Sequence, residues 1–187
     1  MKIKFWVLVA IVAALVSADV ISTYINTPDL ALEVNPLVAE LGLGWVALLV
    51  ANAISLGLQI CLFYYACVKY KTRFFDVNTE REYVSQLLYN RPDKFKWCFY
   101  KTPKNWQPIY AMFAYCLSGS LLASRASVVL GWVAYSLNFQ GFEVIARFIP
   151  FGRLDVIVTL ITFIVLIFAW FKKEYRKSNH PKNQQNF

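Results

Sequence analysis

Residues 156–171 read VIVTLITFIVLIFAWF, sixteen positions without a charge. A chain that contains such a run must either bury it in a large core or place it in lipid. Crossing the hydrocarbon takes about 20 mostly apolar residues as a helix. Lipid offers no partner for backbone N–H and C=O groups, so a lone crossing segment has to be helical. The run recurs. Residues 3–25, with the core FWVLVAIVAALVSA, form the first; residues 37–68 the second; residues 108–136 the third; and residues 154–171 the fourth. Charged residues make up only 16% of the chain, against about 25% in soluble domains. The expected fold is all-α: a polytopic transmembrane bundle of four spanning helices.

Each run has readable ends. Asn26, Thr27 and Pro28 stop the first. Val16-Ser17-Ala18 before Asp19 resembles a signal-peptidase site, but the apolar character resumes at Val20, Ile21 and Ile25, which favours a retained helix. The second run exceeds one span, so its first turns, around Glu40, Gly42 and Gly44, belong at the interface or tilt, and Trp45 opens the spanning part. Lys172 and Lys173 close the fourth. The sequence NFQGFEVIARFIPFGR (138–153) places Phe142, Ile145, Phe148 and Ile149 on one helical face, with Glu143 and Arg147 four apart. It reads as a short amphipathic helix lying in the interface. Residues 176–187 read as a polar, disordered tail after a transmembrane domain spanning 1–175.

Basic residues orient the runs. Of 19 Lys and Arg, two lie at the N-terminus, nine lie in 69–106 and five follow Phe171; residues 26–36 hold none and 138–153 hold two. Loops rich in Lys and Arg stay in the cytoplasm. Both termini and the long loop are therefore expected there, in a multi-pass protein of a cell membrane, the prokaryotic inner membrane being the expected one. The four cysteines, Cys61, Cys67, Cys98 and Cys116, then face reducing conditions and should be free. With His180 the only histidine, no metal set or cofactor site is expected.

Three runs carry small residues four apart: Ala10, Ala14 and Ala18; Ala47, Ala51 and Ser55, followed by Gln59; and Gly119, Ala123, Ser127 and Gly131. Such stripes allow close helix approach, within the bundle or between copies in a homo-oligomer. The fourth run lacks one and is expected to face lipid.

Ionisable groups inside a membrane are functional suspects. Arg125 lies deep in the third run and Asp19 at a similar depth in the first. Asp155 opens the fourth from the outside, and Glu33 sits in the short external connection. Thr23 shares a helix face with Asp19. Asn35-Pro36 suits the N-cap and first position of the second helix. Asp19, Thr23, Glu33, Asn35, Arg125 and Asp155 thus converge toward one outer-leaflet polar site, to which Asn52 and Ser124 could add hydrogen bonds. The site can be a structural tie between Asp19 and Arg125, a seat for a proton, cation or small polar ligand, or a catalytic centre. No Gly-x-Ser-x-Gly, His-Glu-x-x-His or Ser/His pair accompanies it.

The pattern Asp19-x-x-x-Thr23, then Glu33-x-Asn35-Pro36 ahead of an apolar helix, resembles a family of small prokaryotic membrane proteins known only as a domain of unknown function. The likeness covers about the first 70 residues. It implies a polytopic helical fold and no known activity.

In 69–106 basic residues mix with Phe74, Phe75, Trp97, Phe99, Tyr100 and Trp106, and REYVSQLLY (81–89) has a weak helical pattern. Anionic lipid headgroups are the expected partner, ahead of a membrane-protein partner or single-stranded nucleic acid. The expected function is a non-enzymatic membrane component, an accessory subunit or transporter-like bundle. The alternatives are a membrane enzyme acting on a lipid or peptide at the outer face, and an oligomerising membrane-perturbing or signalling protein.

Overall fold

The structure, a computed structural model, describes residues 2–31, 38, 40–137 and 151–184, with the side chains of 2, 151–153 and 179–184 excepted. Helix α1 spans Lys2–Asn26. Helix α2 spans Trp45–Tyr64 and runs on as a π-helical turn, Tyr65–Lys69. A short α3, Glu80–Tyr89, and a 3₁₀ turn, Phe95–Phe99, follow in the long connection. Helix α4 spans Gln107–Ser136 and α5 spans Phe151–Gln184. Among the described residues the chain is all-helical, and four helices are long and apolar enough to cross a membrane: Ile3–Asn26, Trp45–Lys69, Gln107–Ser136 and Leu154–Ser178. Four such helices fit a multi-pass membrane protein.

The spanning part of the second helix opens at Trp45, as the sequence reading expects. Just ahead of it Gly42 adopts a left-handed backbone (φ +63°), so the turn before Trp45 does not run straight on into α2. Only glycine takes that conformation without steric cost. The fourth helix passes through Lys172-Lys173 and the expected tail to Gln184. Its extension packs on protein: Trp170, Glu174 and Ser178 are buried on successive turns. Propensity within the polar tail is weak, and tertiary packing overrides it. The interfacial helix expected over 138–153 lies almost wholly outside the described residues.

Neighbouring ends meet. Tyr24 lies edge-on to Trp45, and Phe5 edge-on to Tyr64, so α1 and α2 run antiparallel. Ser136 donates to Asn26, which aligns the far ends of α1 and α4. Helices α1, α2 and α4 surround one seam. On α1 that seam is apolar over Phe5, Val12 and Val16 and polar from Asp19 onward to Thr23 and Thr27. Helix α5 packs chiefly on α4 and on the connection 70–106. The side of α5 turned away from these contacts stays exposed and apolar, with Leu160, Ile164 and Phe168 on it. The small stripe of α4 serves α5: a Cβ on Gly119 would lie 2.5 Å from Leu166 Cδ1.

The connection 70–106 folds into a lobe at the end of the bundle that carries Lys4 and Lys172. Thr79 caps α3 by accepting from Glu82 N–H, and Glu82 reaches back to Asn78 N–H, a close relative of the capping box. Tyr83 and Leu87 are fully buried against Tyr70, Val77, Ala111 and Trp170. Tyr70 belongs to this core, and Trp132 of α4 is also buried.

Candidate functional site

Arg125 sits eighteen residues beyond the start of α4, roughly 27 Å along a helix rising 1.5 Å per residue. Asp19 sits seventeen residues beyond the start of α1, roughly 26 Å along it. The two helices start at the same end, so the side chains meet. Arg125 Nη1 donates to Asp19 Oδ2 at 2.9 Å and to Asn52 Oδ1 at 2.8 Å, and Nη2 donates to Ser55 Oγ at 3.1 Å. One guanidinium thus holds three helices together. The fork geometry explains why this position carries Arg and not Lys: its planar donors reach separate acceptors at once. Asn52 is oriented from below by donating its Nδ2 to the Leu48 carbonyl one turn earlier.

The pair is not fully sealed. The side chains of Arg125 and Asp19 keep 16% and 18% of their surface accessible. Desolvating a charged pair is costly unless geometry and further hydrogen bonds offset it. Here the carbonyl of Asn52 and the hydroxyl of Ser55 supply those further bonds.

The other expected site residues separate. Thr23 is buried one turn above Asp19, and its carbonyl accepts from Thr27 N–H. Asp155 lies in the first turns of α5, where its carboxylate takes the Val156 N–H at 2.7 Å and its carbonyl the Thr159 hydroxyl. It acts as a local helix-end group, favoured by the macrodipole, on a helix that packs chiefly outside the α1–α2–α4 seam. Glu33 and Asn35 lie outside the described residues. Ser55, first read as a packing residue, is a ligand of Arg125. The signal was present: Asn52, Ser55 and Gln59 at i, i+3 and i+7 share one face of α2.

The serines of α4 turn to their own helix. Ser118 donates to the Ala114 carbonyl, Ser120 to Leu117 and Ser127 to Ser124. A hydroxyl bonded to backbone in this way has no base to activate it.

The second polar cluster is in the lobe. Tyr83 donates to the Arg73 carbonyl and Tyr175 of α5 to the Asn78 carbonyl, while Ser178 accepts from Phe75 N–H. Glu174 is 2% exposed and pairs with Lys177 one turn on. Burial, then the nearby Glu174 carboxylate, pushes the Tyr70 phenol well above its usual range; burial, then Tyr70, does the same to Tyr83. On the outer surface Lys101 lies 4.1 Å from the Trp97 ring centre, and Phe74, Phe99 and Tyr100 are exposed.

The chain matches no protein-family model, no curated protein and no solved structure.

Proposed function

We propose that this chain is a non-enzymatic component of a cell membrane, a transporter-like bundle or accessory subunit with its polar site in the outer half of the bilayer. The observation that supports it best is Arg125, deep in a spanning helix, with acceptors from two other helices. Charge so deep in hydrocarbon is retained where it lines a path or fixes a bundle. A catalytic reading gains no support from Ser118, Ser120 and Ser127, which donate to backbone carbonyls of α4, or from the sequence, which has no histidine in any span. The basic residues gather with the lobe and both termini, which favours the cytoplasm for that end. The exposed aromatic and basic side chains of the lobe suit anionic headgroups there. The partial resemblance to small prokaryotic membrane proteins of unknown function agrees with this setting and adds no activity.

Two measurements test the reading. A reporter that functions only in the cytoplasm, fused after Phe187, should be active; an inactive fusion at normal expression reverses the orientation. Protein reconstituted in vesicles should alter proton or small-solute flux, and Asp19→Asn should change that flux while leaving a folded protein. Flux identical to empty vesicles under both pH and potential gradients removes the transporter-like form and leaves the accessory subunit.

A further inference from the structure

The depth of the lobe against the bundle can be read from its contacts. Leu87 of α3 shares a buried core with Ala111 and Trp170, and both of these lie in helices long and apolar enough to cross lipid. Lys104 and Asn105 donate their backbone N–H groups to the Leu88 carbonyl, and the Tyr89 hydroxyl donates to the Lys101 carbonyl. The C-terminal end of α3 is therefore level with the first turn of α4, where a spanning helix leaves the hydrocarbon. The 3₁₀ turn Phe95–Phe99 hangs on that end. Trp97 lies edge-on to Tyr89 with ring centres 5.6 Å apart, and the Ser85 hydroxyl accepts from Lys94 N–H.

This turn carries bare rings among cations. Phe99 is 80% exposed and Tyr100 68%. Trp106 and Tyr110, stacked on each other at the start of α4, are exposed too. Lys101 Nζ lies 4.1 Å from the Trp97 ring centre and Lys94 Nζ 5.8 Å. From Arg91 to Trp106 the one acid is Asp93, and Lys94 holds it at 2.6 Å. Arg91, Lys96, Lys101 and Lys104 are exposed, and no further acid in that stretch neutralises them. Rings and cations so mixed match a membrane interface. Aromatic rings settle at headgroup depth, while lysine stems lie along apolar surface and carry the ammonium out to phosphate. Each such cation strengthens attraction to an anionic leaflet about fivefold.

We propose that the Phe95–Tyr100 turn is a leaflet anchor: Phe99 and Tyr100 enter the bilayer at the lobe end of the bundle, and Lys96, Lys101 and Lys104 hold the phosphates of anionic lipids around them. The anchor rests on the membrane setting proposed above and gives the lobe a defined partner and a point of contact. It also ties the lobe to the bilayer independently of its core against α4 and α5.

Hydroxyl-radical footprinting of the full chain in lipid nanodiscs, read residue by residue by mass spectrometry, tests this. Phe74, 64% exposed, is the internal standard. Its neighbour Phe75 donates its N–H to Ser178, which lies about 12 Å further along α5 than Trp170, so Phe74 belongs on the water side. In nanodiscs containing phosphatidylglycerol, Phe99 should oxidise at least fivefold more slowly than Phe74, although its ring is the more exposed of the two in the protein. Lys96→Gln/Lys101→Gln/Lys104→Gln, three changes at exposed positions, should bring the two rates back within twofold. Phe99 oxidising as fast as Phe74 in the wild-type chain overturns the anchor without any variant. Protection that is equal in pure phosphatidylcholine and survives the triple change overturns the phosphate contact. Protection in nanodiscs holding two copies but not in those holding one assigns the turn to a second copy and overturns the lipid partner. An unprotected Phe99 with an active cytoplasmic reporter at Phe187 removes the anchor alone and leaves the membrane topology intact.

Discussion

Replacing Arg125 by Leu removes the donor that Asp19, Asn52 and Ser55 share. The Asp19 carboxylate is then left charged, or must take up a proton, in the middle of a bundle. Breaking a buried pair on one side costs about 3–5 kcal/mol. The pair retains some accessible surface, so the lower end, about 3 kcal/mol, applies here. Asp19→Asn is milder. An amide oxygen still accepts from Arg125, and the loss is the difference between a charged and a neutral hydrogen bond, about 1–2 kcal/mol. The double replacement Asp19→Leu/Arg125→Leu strands no charge and should cost less than Arg125→Leu alone, because well-packed apolar substitutes for a buried pair are often neutral. The assay is reversible unfolding in mixed micelles, followed by tryptophan fluorescence and helical circular dichroism. A coupling energy above about 1.5 kcal/mol between the two sites is expected. Additive single losses, or an Arg125→Leu cost below about 0.5 kcal/mol, would show that the contact carries no net tie and refute the reasoning.

Gly119→Ala places a methyl 2.5 Å from Leu166 Cδ1, the tip of a half-buried side chain that can rotate aside; the loss should stay below about 1 kcal/mol, read as a small fall in the micelle unfolding midpoint, and a much larger fall would show Leu166 locked against α4. Thr79→Ala removes the cap accepted from Glu82 N–H and should cost about 1 kcal/mol, seen as faster amide exchange confined to the first turn of α3. Tyr70 and Tyr83 have phenols raised mainly by burial. Because the folded values lie above the unfolded value near 10, neutral phenols favour the fold fully below that pH, and stability falls as the pH climbs beyond it. Absorbance of tyrosinate should show these two ionising after the exposed tyrosines, together with loss of lobe structure; early ionisation of all tyrosines with the lobe intact would contradict the burial.

Much of this protein was legible in its sequence because a membrane reduces the choices. Hydrocarbon forces each apolar run into a helix, so the existence of four spans, and the ends at Asn26 and Ser136, followed from residue type and length alone. Asp19 and Arg125 could be matched in depth by counting along helices of fixed rise. Local sequence could not set which faces turn toward one another. Asn52 and Ser55 become ligands of Arg125 through the rotation of α2 about its axis, and Asp155 parts from them because α5 packs on α4 outside that seam. The extension of α5 is likewise a tertiary result. Its polar residues would not hold a helix unaided, and it is the docking of Trp170, Tyr175 and Ser178 against the lobe that stabilises it. Hydrophobic length specifies that a segment crosses lipid, whereas packing between segments fixes azimuth and partners, and the polar site depends on both.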